Sequence, residues 1–368
     1  MRFRFASLAT IAVASILGCT SAGTTAAPSA STTAAPSASA PAATESSAAA
    51  APSASVRVGP PPGQASSFTI AETAIGLGSV AFLGAIDELK TQGYTIETPE
   101  LAESELVSQG TATGQFQFGS GANSSALLAM EKGAAMKFVV DRNANEWVVV
   151  VTKDISTCEQ LTSSRVAIHS AGSVSGAMLR DWIKKQCPSS AFEPLIISGS
   201  QNRAAALLAG QIDGTPAELR DWIAISSKGG DAYKVLVDFA GDLPDLHPTS
   251  MYGNAEWMTK NPDVTKDLVR EVLLQHRRIN SEPGYLLSLY QKYLPEEAAD
   301  AAVAKLVTDK YVELGLFDDN GGLTPAAVDY TVKFFGPNGT DDLVADLPVD
   351  KVSDLSFLEA ALAEIGTK

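Results

Sequence analysis

Histidine and cysteine are scarce in this 368-residue chain, which has three of each. The histidines stand at 169, 247 and 276, and no two have the spacing of zinc ligands. There is no Cys-x-x-Cys pair, which excludes the usual dithiol redox and structural zinc motifs. Gly-x-Ser-x-Gly is also missing: Gly172 to Gly176 reads GSVSG and puts Val174 in the nucleophile's place. No Gly-x-x-x-x-Gly-Lys stretch exists to cradle phosphates. The run DDNGG at 318–322 opens like a calcium loop but lacks the downstream glutamate. No cofactor, no metal and no enzymatic activity are therefore expected. Cations are scarce as well, with 27 Lys and Arg against 42 Asp and Glu and a net charge of -15. No basic tract extends beyond Lys184-Lys185 and Arg277-Arg278, so nucleic acid, which needs clustered cations, is excluded as a partner.

What is present begins at the N-terminus. MRFRF carries two arginines, and the short apolar run ASLATIAVASILG follows it. The run reads as a secretory signal, too short to span a bilayer permanently. It ends Ile16-Leu17-Gly18-Cys19, which resembles the lipobox of bacterial lipoproteins; the resemblance implies cleavage after residue 18 and a lipid on Cys19. An ordinary signal peptide cleaved nearby is the alternative. Residues 19–66 are almost all Ala, Ser, Thr and Pro, a composition that buries no core and stays disordered. As a coil, such a tether reaches roughly 35–40 Å. The expected location is outside the cytoplasm, on the membrane surface through Cys19.

Cys158 and Cys187 remain as an even pair in an oxidising compartment. Cys158 precedes the strand-like RVAIH, and Cys187 ends the helical segment behind it. A chain that runs up a strand and back down a helix brings those ends together, so a disulfide is expected; two buried thiols are the alternative.

From residue 67 onward, strand and helix patterns alternate. SFTIAET, YTIETPEL, QFQFGSG, MKFVVDR, EWVVVVTKD, RVAIH and FEPLIIS read as strands. GSVAFLGAIDELKTQG, SELVSQGTATG, SSALLAMEKG, SGAMLRDWIKKQ and SQNRAAALLAGQ read as helices. This alternation predicts a doubly wound α/β fold. Beyond PTSMYGNAEWM the pattern turns helical, with a last helix expected near 354–365.

Three segments carry a family resemblance. VSQGTATGQFQFGSGANSSALLAMEKG and NRAAALLAGQIDGTPAEL each give a strand entering a helix that ends or begins at glycine. NAEWMTKNPDVTKDLVREVLLQHRRINSEPGYLLSLYQKYLP opens a long helix at Trp and Asn-Pro and closes a second at Tyr-Leu-Pro. Over 67–335 the chain resembles the nitrate/sulfonate/taurine and thiamine-precursor branch of ABC-transporter substrate-binding proteins. It departs from them at Gln117, where the first lobe usually has aspartate. The resemblance implies a two-lobed type II periplasmic-binding-protein fold, each lobe a doubly wound sheet flanked by helices, with a helical C-terminal extension. It implies lobe I over 67–153, lobe II over 154–240 and a return to lobe I with C-terminal helices over 241–368. Crossovers near Thr152 to Ile155 and Asp238 to Gly241 form the hinge. The implied protein is a monomer that captures a small-molecule ligand between its lobes and passes it to an ABC permease. A tethered ligand sensor on the same fold is the alternative.

Ligands of open α/β sheets bind where strands lead into helices. The candidate ligand-binding residues are those at such ends. Glu72 and Thr73 close the first strand; Gly119, Ser120 and Asn123 lie in the GSGANS loop, where glycine permits close backbone approach. His169, Ser173, Val174 and Ser175 form the loop and helix start after RVAIH, where free N–H groups attract an anion or a carbonyl oxygen, though capping alone also explains the serines. Ser200 and Gln201 follow PLIIS, and Thr215 and Glu218 follow Asp213, itself read as structural. Tyr252 and Trp147 lie near the crossovers, where a ring can stack on a ligand; Tyr252 is kept as a candidate, and Trp147 is read as core or hinge packing. With Arg203 the only arginine at these ends, the expected ligand is small and organic, neutral, zwitterionic or weakly anionic.

Overall fold

The computed structural model describes residues 57–336 and 346–368. The lipidation candidate Cys19, the signal peptide and the tether up to residue 56 lie outside the described residues. Lobe I begins with β1 (Ser67–Thr73), whose Phe68, Ile70 and Ala71 are buried. Then come α1 (Val80–Thr91), β2 (Thr95–Glu97), β3 (Glu100–Leu101), α2 (Ser104–Ala112), β4 (Phe118–Ala122), α3 (Asn123–Glu131) and β5 (Met136–Asn143). Lobe II follows as β6 (Trp147–Thr152), α4 (Cys158–Thr162), β7 (Ala167–Ile168), α5 (Val174–Gln186), β8 (Leu195–Ile196), α6 (Ser200–Leu208), β9 (Gly214–Glu218), α7 (Leu219–Gly229) and β10 (Tyr233–Asp238). The chain returns through α8 (Phe239–Asp242) to β11 (Thr249–Asn254). It then runs on in helices: α9 (Ala255–Lys260), α10 (Pro262–Ser281), α11 (Tyr285–Tyr293), α12 (Ala301–Glu313), α13 (Pro325–Phe335), α14 (Val349–Val352) and α15 (Ser356–Ile365).

The first sheet has the order β2-β1-β4-β11-β5, with β3 also on β1. Parallel β1 and β4 lie side by side, and β11 runs antiparallel to both β4 and β5. In the second, β6 is sandwiched between antiparallel β10 and β9. A bridge from Val166 to Gly214 extends this sheet toward the parallel pair β7-β8. Each sheet thus feeds strands into helices at one end, which is the two-lobed α/β architecture the family resemblance implies. One boundary is corrected. WVVVV pairs with β9 and β10, so the passage into lobe II runs through Ala144 to Glu146 rather than Thr152 to Ile155. Strand β6 is buried on both faces, and only the second sheet offers it two partners.

The last helix, α15, packs on α10 and on β5 of lobe I. Among the described residues no helix is long and apolar enough to cross a membrane. In lobe II, Cys158 at the start of α4 and Cys187 at the end of α5 are joined as a disulfide with Cα atoms 5.9 Å apart. The closed loop spans 29 residues. Its removal frees that much chain in the unfolded state, so C187S is expected to cost about 3–4 kcal/mol. Urea unfolding of variant and wild type measures it; a loss below about 1 kcal/mol would contradict the entropic argument.

Candidate ligand cavity between the lobes

A cavity of about 50 Å³ lies where the two sheets face each other. Lobe I contributes Thr73, Ala74, Ser104, Gly121, Ala122, Arg142 and Thr249; lobe II contributes Trp147, His169, Ser173, Val174, Ser175, Ser200, Arg203 and Glu218. The strand ends fix these positions. Thr73 closes β1 and Ala122 closes β4. Ser200 opens α6, and Glu218 ends β9. Ser173 caps α5 by accepting from the Gly176 N–H at 3.3 Å, which sets Val174 and Ser175, the helix's first residues, against the cavity. The hydroxyls of Thr73 and Ser175 are buried and have no protein partner. Beside them, Ala74 has φ +48°, the only non-glycine among the described residues with positive φ. A residue held there costs of order 1–2 kcal/mol, and such strain collects at binding sites.

Two arginines set the charge. Arg142, at the end of β5, is buried, and its Nη1 lies 3.4 Å from Glu72 Oε2. Burial raises the Glu72 carboxyl to about 7, in spite of the neighbouring Arg142 and the hydroxyls of Ser120 and Ser79. Arg203 is fully buried. It donates to Thr215 Oγ1 at 3.0 Å, to the Pro216 carbonyl and to the Ile197 carbonyl. Burial lowers its pKa to about 10, so it stays cationic at neutral pH. Glu218 is the opposing charge. Burial works against its ionised form, but the Arg220 guanidinium, donating at 2.7 Å, overrides it and pulls the pKa down. His169 carries no charge here: burial, then the Arg203 cation, lowers its pKa. Its Nδ1 accepts from the Gly199 N–H at 3.0 Å, so its Nε2–H donates to the Ala102 carbonyl at 3.1 Å. Both ring nitrogens are thereby engaged, which leaves no free base on that ring.

The structure brings seven of the sequence candidates to one wall: Thr73, His169, Ser173, Val174, Ser175, Ser200 and Glu218. Gln201 lines an adjoining outer recess of about 290 Å³ with Glu100, Leu101, Ala102 and Asn202; His169 and Ala74 stand between the two spaces. The other candidates are spent inside the protein. Glu72 sits behind Thr73, holding Arg142 and the Ser79 hydroxyl. Gly119 lies in mid-strand under the Tyr252 ring, where a Cβ would come within 2.6 Å of that ring. Ser120 is fully buried in register with Glu72. Asn123 donates to the His247 carbonyl and to Ser250, pinning α3 onto β11. Thr215 anchors Arg203 and donates to the Ala167 carbonyl. Tyr252 is fully buried, with its hydroxyl against Ser108 and its ring edge-on to Phe138. Asp213 takes three donors from Arg165 and so clamps the approach to β7.

Sequence reasoning missed Ser104, Thr249 and, as the charged one, Arg142. Its signal was the charged triplet Asp-Arg-Asn at the end of MKFVVDRN: a cation closing an otherwise buried strand has to face a polar space.

A sequence profile of the NMT1/THI5-like family matches residues 89–274. No curated protein matches the chain in sequence. Among solved structures, the chain resembles the ligand-binding component of an ABC-type import system from Staphylococcus aureus. The TM-score is 0.61 at 16% identity, over 80% of this chain and 98% of that one. It also resembles the alkanesulfonate-binding protein SsuA from Xanthomonas axonopodis pv. citri, with a TM-score of 0.60 at 14% identity over 78% and 98%. The desulfurization enzyme DszB has the same fold, at a TM-score of 0.56 and 14% identity over 81% and 99%. At such identities the likeness is one of fold.

Proposed function

We propose a function from one premise: the chain belongs to the NMT1/THI5-like family. The protein is the solute-binding component of an ABC importer. It captures a small organic solute between its lobes and delivers it to a membrane permease. Export and a lipid on Cys19 hold it at the membrane, outside the cytoplasm. Hinge closure follows from thermodynamics, because a ligand that touches both lobes binds the closed form better and shifts the population toward it.

One observation carries the reading. Thr73 from lobe I and Ser175 from lobe II present buried, unpartnered hydroxyls into the same cavity, beside Arg142. Groups of this kind cost free energy unless something accepts from them. The solute that answers them carries a compact head rich in acceptor oxygens, with negative charge for Arg142 and for the first turn of α5. The acidic side chains nearby are otherwise engaged: Glu218 is tied to Arg220, Glu72 is half-protonated near neutral pH, and Glu105 sits outside the cavity on the Gly172 N–H and the Ser170 hydroxyl. The expected ligand thereby moves from neutral toward anionic. Binding is favoured over catalysis because both nitrogens of His169 are occupied and the described cysteines are bonded to each other.

The test is native mass spectrometry of the purified protein, with any retained molecule released and identified, followed by thermal-shift titration of organic anions. One anionic solute per chain is expected. R142Q is expected to weaken it roughly 30- to 100-fold, the worth of one lost charge-assisted contact, and S175A roughly fivefold. A ligand that binds R142Q as well as wild type would refute the proposed head group. If no small molecule binds at all, the solute-binding reading fails.

A further inference from the structure

The cavity has one edge where the protein meets itself across the seam. In α2 of lobe I, Glu105 is only half-buried, yet both carboxylate oxygens reach into lobe II. Oε1 accepts from the Gly172 N–H at 2.9 Å and from the Ser170 hydroxyl at 3.2 Å. Next to it, Ser124 of lobe I donates to the Gly172 carbonyl at 2.6 Å. The peptide groups on both sides of Gly172 are therefore held by lobe I. His169, three residues earlier, adds its bond to the Ala102 carbonyl. The fit depends on residue 172 having no side chain, since a Cβ there would stand 2.3 Å from Glu105 Oε1. His169 lines the cavity, but Glu105, Ser124, Ser170 and Gly172 do not, so the contacts around Gly172 lie outside it.

We propose that Glu105 is a latch: an internal carboxylate that occupies the loop before α5 and holds the lobes together independently of any solute. The loop at the N-terminus of α5 is where an anion is attracted, and lobe I supplies one of its own. The consequence for capture is quantitative. A solute has to supply only part of the closing free energy, because the latch supplies the rest. Shortening the latch therefore weakens solute binding without removing any group that touches the solute. The inference rests on the reading of the two lobes as a closing clamp, but not on what the clamp holds.

The experiment is amide hydrogen exchange on the full chain without added ligand, with small-angle scattering alongside. In E105A, the Gly172 amide is expected to exchange roughly ten- to a hundredfold faster, the worth of one charge-assisted bond, with the radius of gyration increased. Amides of α10 and β5, within lobe I, are expected to keep their protection. S124A is expected to act in the same direction and more weakly. G172A, whose methyl displaces the carboxylate, is expected to open the wild type but to add nothing in the E105A background. An unchanged Gly172 amide in E105A would overturn the latch. So would faster exchange throughout lobe I, which would make Glu105 a general structural residue. So would full additivity of G172A and E105A. No readout involves a solute, so failure of the latch and failure of the transport reading are separable.

Discussion

Arg220→Leu is expected to destabilise the protein by about 3–5 kcal/mol at pH 7, although leucine is the more apolar residue. Arg220 sits in the first turn of α7 and is buried. Its Nε donates to Glu218 at 2.7 Å, and Nη1 pairs with Glu297 ahead of α12. It is also the principal cation for the Asp221 carboxyl, which burial pushes up and Arg220 pulls down. Around this group packs the apolar cluster of Leu77, Ile223, Tyr290, Val307 and Phe317. Leucine leaves two buried carboxylates without their principal cation, and that uncompensated charge, rather than the lost contact, sets the cost. The residual stability should depend on pH, because Glu218 and Asp221 can escape by taking up protons, so the deficit shrinks in acid. R220K should fall between, since an ammonium cannot fork to two carboxylates as a guanidinium does. Urea unfolding at pH 5 and pH 7 measures all three. A deficit under about 1 kcal/mol at pH 7 would mean that solvent or rearrangement satisfies the carboxylates.

The same charge cluster marks where sequence reading reaches its limit. The strand-to-helix loops were legible because period-two apolar runs ending in small polar residues are local signals. Hence Thr73, Ser173 to Ser175 and Ser200 could be placed at a cleft. The errors at Gly119 and Ser120 have a local cause. GSGANS looks like a loop, but β4 continues through Ala122, so the first two residues of that stretch are strand interior and Gly121 and Ala122 take the wall. Thr215 fails for the same reason inside β9. Glu297 offered no signal of association with Arg220 and Glu218, since it approaches them only when α7 packs on α12. Glu105 is the extreme case. On an amphipathic stretch such as SELVSQG a lone glutamate reads as solvated, and its partner Gly172 is 67 residues away.

Glu146→Gln is expected to make the protein more stable than wild type in alkali and equal to it in acid. Glu146 lies in the passage between lobes and is buried. Its Oε1 accepts from Asn143 Nδ2 at 2.8 Å, and Oε2 accepts from the Tyr311 hydroxyl. Burial, then the nearby Glu218 charge, raises its pKa from 4.5 to about 8, against the pull of Tyr311, Arg220 and Arg142. The fold therefore binds a proton that the unfolded chain releases near 4.5. That stabilisation is fully present below about pH 4.5 and is lost as pH rises through about 8. Glutamine keeps the shape and an acceptor oxygen while removing the titration. The two proteins should unfold alike at pH 5, and by pH 9 the variant should lead by at least about 1 kcal/mol, somewhat less than a tenfold change in the unfolding equilibrium. Glu72 titrates within the same window, with a pKa of about 7, but it is present in both proteins and cancels in the difference. Glu218 is pulled in the opposite direction by Arg220, so its loss of charge falls on the acid side of the window. Parallel stability curves from pH 5 to pH 9 would show that Glu146 is ionised in the fold. In that case the cation pair of Arg142 and Arg220, rather than a bound proton, balances the passage between the lobes.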